Sequence, residues 1–225
     1  MIVRILIGLN VLVWIANILS GFDIQNPSSK DLLQWGGNFL PYTVQQPWRL
    51  ISAMFLHGGI IHIAFNMLAL YQIGPLCERF YGRSGFLVIY TVGGVLGGIT
   101  SLFFAAKSSV SIGASGAIFA IQGAIICATI TKADHLPPGA AKSLLNTMLF
   151  FVGISVVQGI VMPHIDNAAH FGGLVAGFLV AFGLAEVFDR DQNKQSFWLR
   201  FGMTSVVSVL GIALAWLLML YRYSK

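Results

Sequence analysis

Apolar residues in this chain run in long blocks, separated by short polar or glycine- and proline-rich stretches. A helix that crosses the hydrocarbon of a bilayer needs about 20 mostly apolar residues. By that ruler, spans are expected near 1 to 20, 50 to 72, 84 to 105, 115 to 131, 144 to 162, 167 to 188 and 198 to 221. The connections are too short to separate two domains. The expected architecture is all-α: a polytopic membrane bundle with a six-helix core over 1–190, then a short cytoplasmic linker and a seventh span over 191–225. The longest polar connection, 21 to 48, carries Asn26-Pro27-Ser28-Ser29, Gly36-Gly37 and Pro47, yet keeps Leu32, Leu33, Trp35, Phe39, Leu40, Tyr42 and Trp48. That mixture predicts a loop lying on the membrane interface. The stretch after Met1 has no small-residue cleavage site and is expected to be a first span.

Composition and charge fit that pattern and narrow it. Hydrophobic residues make up 56% of the 225 and charged residues 9%, with a mean hydropathy of +0.80, which leaves too little polar surface for a soluble domain of this size. The net charge of +5 is scattered singly between spans, a topology signal rather than a nucleic-acid footprint. With the amino terminus inside, the inner face holds Arg4, Arg79, Arg83, Lys132, Lys142, Arg190, Lys194 and Arg200. The outer face then holds Lys30, Arg49, Lys107, Arg222 and Lys225, so the bias favours a cytoplasmic amino terminus, with Arg222 and Lys225 working against it. Cys77 and Cys127 have no paired spacing and are expected to act as small buried hydrophobes.

Span parity then gathers the polar residues. The second, fourth and sixth spans all run from outside to inside, and His57, His62, Asn66, Ser115 and His170 are expected in their first halves. The fourth span has an apolar stretch of about 14 residues, or about 21 Å at 1.5 Å per residue. It should therefore begin below the outer surface, with Lys107-Ser108-Ser109-Val110-Ser111 and Gly113 descending to it. Polar groups at membrane depth are costly unless they are paired or face water, so these residues mark a candidate site.

The chemistry they suggest is nucleophile plus base. Ser115, in Gly113-Ala114-Ser115-Gly116-Ala117, sits at a helix start, and His170, in Ala168-Ala169-His170-Phe171-Gly172-Gly173, is the candidate general base. Gly116 and Ala120 are i, i+4 neighbours, as are Gly173 and Gly177, and small residues at this spacing let two helices approach closely. His62 and Asn66, also i, i+4, carry an imidazole and an amide N–H suited to an oxyanion. Each residue has a plainer reading: Ser115 as helix-packing serine, His170 as a histidine bonded to a backbone carbonyl. The run is not the GxSxG elbow of soluble hydrolases, because Ala117 takes the fifth position. A zinc site is disfavoured, because a spacing of five puts His57 and His62 on different helix faces without a nearby carboxylate or thiolate. Asp166, four before His170, could orient the base or simply begin a span at the water face. Glu78 and Arg79 fit a structural ion pair at the inner end of the second span.

Taken in order, Trp48-Arg49 through His57, His62 and Asn66-Met67, then Glu78-Arg79-Phe80-Tyr81-Gly82, then Gly113-Ala114-Ser115-Gly116, then His170 with Gly173 and Gly177, resemble the rhomboid intramembrane serine proteases from about residue 47 to 188. The resemblance implies a six-helix core in which a Ser115/His170 dyad cleaves single-pass membrane substrates within the bilayer, without cofactor or metal. It also implies an oxyanion hole of Asn66, His62 and the Ser115 amide, with Gly113, His57 and Gly116 in support. Arg49 is expected to help hold the loop after the first span, and the fifth span with its adjoining loop to form the substrate entry. A seventh span is a known variation in the family. The expected setting is a bacterial inner membrane, active site toward the outer face, with lipid but not nucleic acid as partner and the oligomeric state open. The alternative is a catalytically inactive rhomboid-like protein that binds membrane clients. A transporter or channel is disfavoured, because the polar groups stop in one leaflet.

Overall fold

A computed structural model describes residues 1–104, 109–133, 136–162, 165–184 and 194–224. Within them the chain forms α1 (Ile2–Leu19), α2 (Ser29–Gln34), α3 (Leu40–Thr43), α4 (Arg49–Ser52), a 3-10 turn (Ala53–Phe55), α5 (Ile60–Phe104), α6 (Ser115–Thr131), α7 (Ala140–Val161), α8 (Asn167–Gly183) and α9 (Lys194–Tyr223). Lys107, Ser108, Arg190 and Lys225, and the expected division between residues 190 and 191, lie outside the described residues.

Among the described residues, α1, α5, α7 and α9 are long and apolar enough to cross a membrane. α5 is 45 residues long and breaks at Gly82, where φ is 69° and ψ 177°, so it supplies two crossings, 60–81 and 83–104. α6 and α8 are shorter, at 17 residues each. The protein is thus a polytopic helical membrane bundle, as its hydropathy predicts.

The second span differs from its expected bounds at both ends. Residues 50–59 do not join it: α4 and the 3-10 turn lead into Gly58-Gly59, and Gly59 takes φ +118° with the Gln25 carbonyl where a Cβ would stand. The Ile60 N–H donates to the Ile24 carbonyl at 2.9 Å, which ties the helix start to the loop after α1. At its other end the helix continues past residue 72 because Glu78 is satisfied in the interior. Its carboxylate accepts the N–H groups of Ile2 and Val3 at 3.1 and 3.2 Å, capping the otherwise unpaired start of α1. Its ion partner is Arg83, at 3.9 Å, rather than Arg79.

α6 is the central post. Every residue from Gly116 to Thr129 is buried, which suits a sequence with no polar face. α5 and α8 pack against it through small residues. A Cβ on Gly93 would strike Ala120, one on Gly123 the Leu174 carbonyl, one on Gly173 the Gly116 carbonyl, and one on Gly177 the Ala120 carbonyl. α7 is held far more loosely, with Met148 as its one buried residue. α9 lies on another flank. Its Trp216, Met219 and Leu220 join Leu40, Leu50, Ile99 and Leu102 in one cluster, and the Arg222 guanidinium stands 4.6 Å over the Phe103 ring. The carboxy-terminal end of α9 therefore shares a face with the end of α5 and the loop that carries α3 and α4.

Candidate active site

The same face carries the start of α6. The strand-like segment before it is fixed at two points: Asn38 and Ser111 form an antiparallel bridge, with N···O distances of 3.1 and 2.8 Å, and the Gly113 N–H donates to the Ala53 carbonyl at 2.8 Å. Gly113 has φ +110°, and a Cβ there would come within 2.8 Å of His62 Nε2 and 3.8 Å of Asn66 Nδ2. Glycine is thus required twice, by its backbone angle and by the imidazole beside it. Two residues later Ser115 opens α6, half-buried. Its N–H belongs to the first turn of the helix, where donors have no intrahelical acceptor.

His62 and Asn66 are one turn apart on α5. The Gly58 N–H donates to His62 Nδ1 at 3.1 Å, so the neutral ring carries its proton on Nε2, the atom facing Gly113. Asn66 Nδ2 donates one hydrogen to the His62 carbonyl at 2.9 Å, leaving its second available. His57 is not in the first half of a span, as expected, but in the turn before it, because Gly59 delays the helix to Ile60. Nor are the two histidines kept apart on different faces. The His57 ring, 2% exposed, meets the His62 ring edge to face with centroids 5.1 Å apart. Among the described residues, no three His, Cys, Asp or Glu side chains gather as a metal cluster.

His170 lies in the first turn of α8, 8% exposed. The ring stacks on Phe119 at 4.2 Å and 9°, one turn along α6 from Ser115. The two helix starts touch directly, since a Cβ on Gly116 would lie 3.5 Å from the Ala169 carbonyl. Ser115 and His170 are therefore neighbours across the α6–α8 contact, although no hydrogen bond joins their side chains. Such bonds are often long before substrate binds. Asp166 is not turned to the imidazole. It caps α8 by accepting the Ala169 N–H at 2.9 Å and takes a second hydrogen bond from Ser101. Phe119 and Ser101 escaped the sequence reading; the i, i+4 spacing of Ser115 and Phe119 was the available signal.

Arg49 organises the loop above the site. It donates to the Gln46 side chain and the Leu33 carbonyl at 2.8 Å and to the Gly37 carbonyl at 3.2 Å, between the rings of Tyr42 and Trp48. A recess lined by Asn38, Met54, Gly94, Ser111, Gly113, Ser115 and Ala169 opens beneath that loop.

The Rhomboid domain family matches residues 44–187, which include Arg49, His57, His62, Asn66, Gly113, Ser115, Gly116 and His170. The chain belongs to the rhomboid family. Relatives of this rhomboid include the Bacillus subtilis protein named Rhomboid protease GluP, 37% identical over 61% of this chain and 26% of its own length. The Arabidopsis thaliana RHOMBOID-like protein 2 is 34% identical over 79% of this chain and 58% of its own. The putative rhomboid protease YdcA of Bacillus subtilis is 31% identical over 60% of this chain and 66% of its own. The rhomboid described here spans between about a quarter and two thirds of the length of these relatives.

Proposed function

We propose that this rhomboid is an intramembrane serine endopeptidase that cleaves single-pass membrane proteins within the bilayer. The observation that carries the reading is Gly113 seated against His62 and Asn66, two residues before a serine whose helix start touches that of His170. In this reading Ser115 Oγ attacks the peptide carbonyl and passes its proton to His170. The oxyanion takes hydrogen bonds from His62 Nε2–H, the free Asn66 N–H and the Ser115 amide. Collapse of the tetrahedral adduct sends the proton from His170 to the leaving amine and leaves an acyl group on Ser115. Water activated by His170 then releases the carboxylic acid. Phe119 supports the imidazole from one side throughout.

Substrate enters beside α7, the least buried helix of the bundle apart from its contact at Met148. The core comprises residues 1–190 and the seventh span is an appendage on its α5 and α8 flank. We place the chain in a bacterial inner membrane with its amino terminus in the cytoplasm and the site toward the outer face.

The test is cleavage of a transmembrane reporter by the purified protein in lipid. Activity that disappears in both Ser115→Ala and His170→Ala supports the reading. Unchanged cleavage in either variant refutes the dyad, and a folded wild-type chain that binds reporters without cutting them is the client-binding alternative.

A further inference from the structure

Both carboxylate oxygens of Asp166 are committed, and neither to the imidazole one turn on. Oδ1 accepts the Ala169 N–H at 2.9 Å, and Oδ2 accepts the Ser101 hydroxyl. Ser101 is 1% exposed and belongs to the second half of α5, so the donor side of that bond is shielded, while Asp166 itself is half-buried. The main chain adds a third link, since the His170 N–H donates to the Asp166 carbonyl at 3.1 Å.

Among the described residues, the other directional contact from this end of α8 to a neighbouring helix is a longer, exposed hydrogen bond from Asn167 Nδ2 to the Val156 carbonyl of α7 at 3.3 Å, which does not reach α5 or α6. Ala169 meets α5 at Gly97 and α6 at Gly116, contacts that fix a separation but resist rotation or sliding weakly. The base sits on this smooth surface, its Nδ1 without a partner. A charge-assisted hydrogen bond across helices supplies the missing constraint.

We propose that Asp166 and Ser101 form a latch that positions His170: the carboxylate caps the first turn of α8 and ties it to α5, keeping the imidazole over Phe119 and beside Ser115. Asp166 acts through the backbone of α8 and does not touch the reacting atoms. The proposal rests on the reading of Ser115 and His170 as a catalytic pair.

Its test uses the full chain in lipid, with Asp166→Ala, Asp166→Asn, Ser101→Ala and the Asp166→Ala/Ser101→Ala double variant. Three quantities are read: kcat and KM on a transmembrane reporter, the rate of fluorophosphonate labelling at Ser115, and amide hydrogen exchange at Ala169 and His170. Asp166→Ala is expected to lower kcat and labelling about 10- to 100-fold, the worth of hydrogen bonds to a charged group, with KM unchanged. Asp166→Asn, whose Oδ1 still accepts the Ala169 N–H while its Nδ2 donates to the Ser101 hydroxyl oxygen, keeps both links and restores most of that rate. Ser101→Ala loses part of it, and the double variant is no slower than Asp166→Ala. Exchange at Ala169 and His170 rises in Asp166→Ala and Ser101→Ala. A folded Asp166→Ala chain at full rate overturns the latch, and so does an Asp166→Asn chain as slow as Asp166→Ala, which would assign the effect to charge on the imidazole. If even the wild-type chain neither cuts nor labels, the protease reading fails. Exchange then decides alone: raised exchange supports the latch and unchanged exchange overturns it.

Discussion

Gly113 joins backbone strain to chemistry at a single residue. A methyl group there meets both an unfavourable φ and the His62 ring. Gly113→Ala is expected to cost about 1–3 kcal/mol in backbone strain alone, and to lower reporter cleavage by more than that cost implies, because His62 is displaced as well. Thermal unfolding and kcat measured together separate the two effects. Phe119→Ala removes the surface beneath His170; stacking of this kind is worth about 0.5–1.5 kcal/mol, so kcat should fall roughly 2- to 12-fold. Phe119→Leu, which keeps the volume, should lose less. At this scale Ser115, His170, His62, Asn66 and Gly113 were legible because their chemistry and spacing are unusual in apolar sequence. His57 was not, because a Gly-Gly pair inside an apolar block looks like helix until the positive φ of Gly59 fixes the start at Ile60.

Between elements, the decisive contact is α6 against α8. A side chain at Gly177 would occupy the space of the Ala120 carbonyl, so Gly177→Val must push the helices apart. A loss of about 1–3 kcal/mol or more is expected, read as a lower thermal midpoint, with cleavage falling further as His170 withdraws from Ser115. The small-residue spacing announced this contact in the sequence. The loop between α1 and α5 was legible in its placement but not in its construction. Its first turn carries a capping signal, Ser28 accepting the Asp31 N–H at 3.2 Å, and its centre is one guanidinium bonded to two backbone carbonyls and Gln46. Arg49→Lys keeps the charge but cannot reproduce that fork. The expected outcome is faster proteolysis within residues 20–59, measured by limited digestion.

For the molecule as a whole, the polytopic helical bundle was readable because hydropathy registers the length of apolar runs. The continuity of two spans in α5 was not, because Glu78, Arg79 and Arg83 look like a polar connection until the Glu78 carboxylate is seen to cap the start of α1. Where α9 docks was equally hidden, because its partners Leu40, Leu50, Ile99 and Leu102 are distant in sequence. Since α9 reaches that cluster and not the Ser115 recess, a chain ending before α9 is expected to unfold at lower temperature yet retain measurable reporter cleavage. Abolished activity in a folded truncated chain would contradict this.

The brevity of α8 reaches beyond the protein itself. Its outward row of Phe171, Val175, Leu179 and Phe182 meets the lipid over only 17 residues, about 26 Å against a hydrocarbon thickness of roughly 30 Å. Acyl chains along that side must shorten or tilt to cover it. Thick, ordered membranes resist this deformation and thin ones accept it, so the surrounding lipid becomes a silent regulator, and a series of vesicles of increasing chain length should grade the stability of the bundle.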